Sequence, residues 1–251
     1  MKKYLIVLLP LIFGISNAWA ELSIENDQQY LVDDGSLHIV GEIRNDLNVP
    51  LNQINIHATL YSNGQIIHET SGSSLVNTIM PGMKGPFDII ILGEKTKLVD
   101  NYSLELDYKI TDPKNQVIEI TTSKINRDNL DNLFITGTVA NQGEITANTV
   151  TVVATLYDRD GKVVAVSKTH TEPDYLRASD ETFFLVSLPD KFQANDVVDY
   201  TLVAESEEYA PVPEFPLGTL LLLASSVSVY ILFTRYSSRV ITNLVSASNP
   251  K

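Results

Sequence analysis

Two histidines, His38 and His57, are the residues best placed to do chemistry. Each falls on the polar side of an apolar/polar alternation, and a period of two puts them on the solvent faces of two neighbouring predicted strands. Imidazoles so arranged can ligate Zn²⁺ or Cu²⁺, and His68 lies beyond the hairpin that follows. The competing reading is a set of solvated histidines. Asp158-Arg159-Asp160-Gly161 resembles half of a calcium loop but lacks the third oxygen donor and the terminal glutamate. A hairpin turn explains it better. Asn101-Tyr102-Ser103 is an N-glycosylation sequon inside a predicted strand. No Gly-x-Ser-x-Gly elbow, phosphate loop or His-Glu-x-x-His helix occurs. The sequence reads as non-enzymatic, with no cofactor.

The elements that must position these groups come in duplicate. Ala-Thr-Leu-Tyr occurs at Ala58–Tyr61 and again at Ala154–Tyr157, an offset of 96 residues. Leu37, Ile39, Gly41 and Asn45 recur as Leu133, Ile135, Gly137 and Asn141 at the same offset. Leu22-Ser23-Ile24 answers Ile118-Glu119-Ile120, and Phe87 is aligned with Phe183. Tyr102 and Leu104 recur as Tyr200 and Leu202, now 98 apart. Such a period is a whole domain, since solenoid repeats run to roughly 20–50 residues. Positions 38 and 57 become Phe134 and Val153 in the second copy, so a metal site there would belong to the first copy alone. Tyr61 and Tyr157 sit on the outer face after a buried leucine, as cross-strand packing or as an aromatic contact surface.

Within each copy the apolar residues alternate in short runs punctuated by turn residues. Leu37, Ile39, Gly41 and Ile43 form one face of a strand, and Ile54, Ile56, Ala58 and Leu60 form another. Asn63-Gly64 between apolar runs predicts a type I′ hairpin, because both residues must take positive φ. The expected architecture is all-β: two tandem immunoglobulin-like β-sandwich domains, residues 21–116 and 117–209, with a small closed barrel as the alternative.

Charge and composition narrow the partners. There is no cysteine, which removes disulfides and thiolate chemistry. Residues 21–212 hold 13 Lys+Arg against 30 Asp+Glu, a balance of −17. Nucleic-acid binding draws on neutralised phosphates, so that partner is not expected. An acidic solvated surface is.

The two ends read as membrane traffic. Lys2-Lys3, an apolar run interrupted by Pro10, and Ala18-Trp19-Ala20 form a secretory signal over 1–20, cleaved between Ala20 and Glu21. A proline-stiffened spacer covers 210–216. Residues 217–234 carry no charge, and at ~1.5 Å per residue they reach across a bilayer core. Arg235 and Arg239 follow, so the tail 235–251 is expected in the cytoplasm and residues 21–216 outside it.

Leu37-His38-Ile39-Val40-Gly41-Glu42-Ile43-Arg44-Asn45, Ala-Thr-Leu-Tyr, Asn63-Gly64, Pro81-Gly82 and Pro86-Phe87 together resemble the FxLYD domain pattern. The second copy matches through Ile135-Thr136-Gly137, Asn141 and Thr155-Leu156-Tyr157-Asp158. Ala58 and Ala154 stand where the pattern has its first phenylalanine, and Arg177-Ala178 replaces the proline-glycine turn. The resemblance implies an immunoglobulin-like fold and no established activity. Pro213-Glu214-Phe215 before the apolar span resembles the PEF-type C-terminal signals of archaeal surface proteins, which are processed or simply retained as anchors. The expectation is a cell-membrane surface protein that recognises or scaffolds an envelope partner by strand addition or face docking. The alternatives are metal or solute binding through His38 and His57, and a structural spacer of the envelope.

Overall fold

Short alternating runs give short strands, and the computed structural model is built from them; it describes residues 21–188 and 196–213. The strands are β1 (Leu22–Leu31), β2 (Leu37–Asn45), β3 (Leu51–Ser62), β4 (Gln65–Ser73), β5 (Thr78–Ile79), β6 (Lys84–Ile91) and β7 (Asn101–Ile110). Then come β8 (Ile118–Arg127), β9 (Leu133–Asn141), β10 (Thr151–Tyr157), β11 (Val163–His170), β12 (Glu181–Ser187), β13 (Asp199–Glu205) and β14 (Val212–Pro213). A 3₁₀ turn spans Glu94–Leu98.

The strands pair antiparallel into sheets. One sheet runs β1-β2-β6; in a second, β3 is flanked by β4 and β5 on one edge and β7 on the other. These make the first unit. The second unit repeats the plan as β8-β9-β12 and β11-β10-β13-β14. Alternation decides which side chains meet. Leu37, Ile39 and Ile43 of β2 share one buried cluster with Ile54, Ile56, Ala58 and Leu60 of β3. Leu133, Ile135 and Val139 meet Val152, Ala154 and Leu156 in the other. Phe87 and Phe184 are among the largest fully buried side chains, each contributing about 2–3 kcal/mol by burial.

Register corrects one alignment made from sequence. Gly41 pairs with Phe87, and Gly137 pairs with Phe184, not with Phe183. The rings fill the space left by the glycines: a Cβ on Gly41 would lie 2.7 Å from Phe87 Cζ, and one on Gly137 would lie 2.6 Å from Phe184 Cζ. Phe183 therefore points outward, 55% exposed. A slip of one residue exchanges the two faces of a strand.

Buried loop amides recur in both units. Asn45 donates its Nδ2 hydrogens to the Val49 and Ile79 carbonyls, each at 2.9 Å, while Oδ1 accepts from the Leu47 amide. Asn141 does the same with Ile145, Leu176 and Gly143. The repeated asparagines are loop staples. Asn63 (φ 51°) and Gly64 (φ 75°) form the expected hairpin.

The units stack face to face. Val40 and Glu42, on the side of β2 away from its own core, are buried, and Val153 and Val203 of the second unit join the first unit's apolar cluster. No helix among the described residues is long and apolar enough to cross a membrane. The expected signal, Ala20 included, and the expected span 217–234 with Glu214 and Phe215 lie outside the described residues. Pro213 closes β14.

Candidate functional site

The histidines do not come together. β2 and β3 belong to different sheets that share one core, so residues facing away from that core on the two strands leave opposite sides of the unit. Successive amphipathic strands read as neighbours in sequence, but period two does not say which sheet each one joins. His38 pairs with Asp88 through Nδ1 at 3.0 Å to both carboxylate oxygens and stacks on Tyr30 at 5.1 Å. His57 pairs with Asp107 at 3.1 Å on the far face. Among the described residues no three His, Cys, Asp or Glu side chains form a metal-binding group.

The other sequence candidates have local roles. Asp158 Oδ1 accepts from the amides of Asp160 and Lys162, both at 2.9 Å, so this carboxylate organises the β10–β11 turn. Asn101 is exposed at the first position of β7, and Ser103 of its sequon is hydrogen-bonded to the Tyr61 hydroxyl at 3.2 Å. Tyr157, the repeat partner of Tyr61, reaches across the unit boundary and donates to Glu42 Oε1 at 2.6 Å.

That bond belongs to a polar joint. Glu42 Oε2 accepts from Lys84 Nζ at 2.9 Å and from Asn26 at 3.1 Å. Burial raises the Tyr157 hydroxyl well above the ordinary tyrosine range, and the Glu42 charge adds to it. Burial works against the Lys84 ammonium, but Glu42 and Glu25 together outweigh it and lift its pKa. On the other side Glu205 accepts from the Asn77 amide at 2.8 Å and from Lys168 at 3.5 Å. Burial is the largest influence on Glu205 and raises its pKa against those partners. A cleft of about 700 Å³ opens beside Glu42, walled by Pro81, Met83, Pro86, Leu202 and Val212. Glu42, Lys84, Tyr157 and Thr201 at its floor already bind one another, so the cleft is the outer rim of the joint.

The candidate site is the open corner of the first unit, where β7 meets β1. β7 pairs with β3 alone, and among the described residues no strand lies along its other edge. Tyr102 pins the corner by donating to Asp27 Oδ2 at 2.6 Å, which with burial as the larger cause raises its pKa far above the usual value. Beyond that pin the core-facing Leu22, Ile24, Leu104 and Leu106 are only partly buried. Tyr108 and Ile110 are 43% and 66% exposed. The repeat-related corner of the second unit is pinned alike, by Tyr200 and Ser123 at 3.0 Å. It is also closed: β14 pairs with β13, and Ile118, Leu202 and Ala204 are fully buried. Sequence reasoning missed this site, although the shift of offset between Leu22/Ile118 and Leu104/Leu202 falls on its two strands. A second exposed apolar surface, Phe183 with Leu185, lies on the outer side of β12.

No family model and no curated protein matches the chain. Among solved structures, the exo-chitosanase CsxA of Amycolatopsis orientalis aligns over 76% of this chain and 26% of its own, at 10% identity and a TM-score of 0.30. Red sea bream transglutaminase aligns over 77% and 30%, at 8% identity and 0.24. A β-glucuronidase of glycoside hydrolase family 2 aligns over 71% and 23%, at 12% identity and 0.27. The chain thus spans about a quarter of the length of the exo-chitosanase, and likenesses of this strength carry no functional argument.

Proposed function

We propose that the chain is a non-catalytic surface module that recognises or scaffolds another envelope protein. On this reading residues 21–116 and 117–209 are two immunoglobulin-like domains, exported by the segment 1–20 and held at the cell membrane by the apolar segment 217–234, as those sequences lead one to expect. The open edge of β7 carries the reading. An unpaired strand edge beside half-covered leucines is a template for strand addition, in which main-chain bonds give affinity and alternate side chains give specificity. Covering Leu104 and Leu106 would add roughly 1 kcal/mol each. The second unit lends support, because there the chain lays its own β14 on the corresponding edge.

Cross-linking mass spectrometry on intact native membranes tests the reading. Reproducible links from Lys109 and neighbouring lysines of the first unit to one or two discrete proteins are expected. Diffuse links to abundant envelope proteins, or none, would overturn it and leave a structural spacer, a role that the buried joint between the units also suits.

A further inference from the structure

We infer that the strand accepted by β7 alternates apolar with basic residues, the basic ones aligned with Glu105 and Asp107. The inference rests on the recognition reading and names the chemistry of the partner. The closed corner shows what a filled edge looks like in this fold. Pro213 pairs with Val203 and Val212 with Ala204. The approach to β14 is anchored by Gln116, whose Nε2 donates to the Pro211 carbonyl at 2.5 Å, and by the Ala210 amide on the Asn115 carbonyl at 2.9 Å. With that strand in place the core-facing residues of β13 and β8 are sealed.

β7 offers the same edge over ten residues with nothing on it among those described. Its two faces set the chemistry of the occupant. Leu104 and Leu106 lie on the core side, opposite Ala58 and Ile56 of β3. An added strand sets every second side chain beside them over the seam towards Leu22 and Ile24, and those must be apolar. The intervening side chains stand beside Ser103, Glu105 and Asp107, all exposed. His57 and Tyr61 of β3 flank this row through their contacts with Asp107 and Ser103. Lys109 ends it, so the demand for positive charge is confined to the middle of the strand. Across neighbouring strands opposite charges attract and like charges repel.

The same row disfavours a second copy of this chain. Two β7 edges paired antiparallel about Leu106 would set Glu105 against Asp107 of the other copy. The surplus of acid over residues 21–212 adds long-range repulsion between copies and attraction for a basic segment.

The test uses the full chain in lipid nanodiscs and two short synthetic peptides, one alternating valine with lysine and one alternating valine with glutamate. Amide hydrogen exchange and fluorescence anisotropy report place and affinity. The lysine peptide is expected to protect alternate amides of β7, to bind at least about tenfold more tightly than the glutamate peptide, and to lose that advantage as salt rises. Glu105→Lys with Asp107→Lys should invert the preference, while Glu119→Lys on the second unit should leave it unchanged. Equal binding of both peptides at β7 overturns the basic partner but keeps edge recognition. Protection of β7 by neither peptide, with native-membrane links mapping elsewhere, overturns both. Concentration-dependent dimerisation with β7 protected would replace the basic partner with a second copy.

Discussion

At one corner of the second unit Ile118, Leu202 and Ala204 are sealed beneath β14, whereas at the repeat-related corner of the first Leu22, Leu104 and Leu106 stand half open. The faces of the units diverge as well. The outer side of β10 and β13 carries Val153, Tyr157, Val203 and Glu205 and is buried against the first unit. The matching side of β3 and β7 carries His57, Tyr61, Glu105 and Asp107 and meets solvent. Duplication supplied the same strands twice. Stacking buries this face in the second copy, with Val153 and Val203 beside Tyr157 and Glu205, and leaves the first copy's face to solvent, as end units of stacked arrays require. The second unit is an internal reference against which each feature of the first can be read.

The largest expected effect strains that equivalence at the paired glycines. A Cβ at Gly137 collides with the Thr122 carbonyl oxygen and lies 2.6 Å from Phe184 Cζ. At Gly41 the nearest atoms are Phe87 Cζ at 2.7 Å and Asp27 Cβ at 2.8 Å, both in side chains. Backbone in a paired strand yields less than side chains do, so Gly137→Ala should cost roughly 3 kcal/mol and Gly41→Ala about 1–2 kcal/mol. Chemical denaturation of the two variants measures the difference; equal losses would mean that the strands bulging past these glycines are equally mobile.

Next in size is the tyrosine pair. Tyr157→Phe removes the donor to Glu42 Oε1, a buried carboxylate oxygen, and should cost about 2 kcal/mol. Tyr61→Phe removes only a bond on the solvent side and should cost at most about 0.5 kcal/mol. The Tyr157 pKa is raised in the fold, so its contribution is complete below the ordinary tyrosine value near 10 and is lost as pH rises through the folded value. A weaker alkaline dependence in Tyr157→Phe, with the share from Tyr102 remaining, checks the assignment.

The open and closed corners can be exchanged in part. Val212→Asp places a charge on β14, next to the Ala204 pair, and should loosen that edge by about 1 kcal/mol. Hydrogen exchange at Val203 and Ala204 should then approach the rate on β7. Unchanged protection would show that Gln116 and Asn115 hold the strand without its side chain.

Much of this comparison was legible in the sequence, and its limits have physical causes. Asn63-Gly64 specified its hairpin because few residues tolerate positive φ, and the strand pattern marked the core faces of β2 and β3. Asn45 and Asn141 were visible as a repeat, but their role needed the loop carbonyls they bind. Alternation gave His38 and His57 a solvent side without saying that their strands lie in opposing sheets. The alignment of Phe87 with Phe183 failed because two adjacent phenylalanines fit a repeat equally well, and only pairing with Gly137 selects Phe184. The open corner left no local motif, since it consists of a missing neighbour.

The smallest effect concerns the two carboxylates at the same place in the repeat, Glu205 on β13 and Asp107 on β7. Glu205 is 1% exposed and lies between the units, where burial raises its pKa despite the Asn77 amide and Lys168. A raised carboxylate favours the folded state most below the unfolded value near 4.5, and that advantage is lost as pH climbs through the folded value. Glu205→Gln keeps a side-chain oxygen for the Asn77 amide and does not titrate. Its stability relative to the native chain should therefore improve from pH 4 towards neutrality. Asp107→Asn changes an exposed side chain and should shift stability by at most about 0.5 kcal/mol at neutral pH. Thermal denaturation across that range separates the cases. A relative loss for Glu205→Gln as pH rises would mean that Lys168 and the Asn77 amide outweigh burial, and that the joint is held by the charge on Glu205.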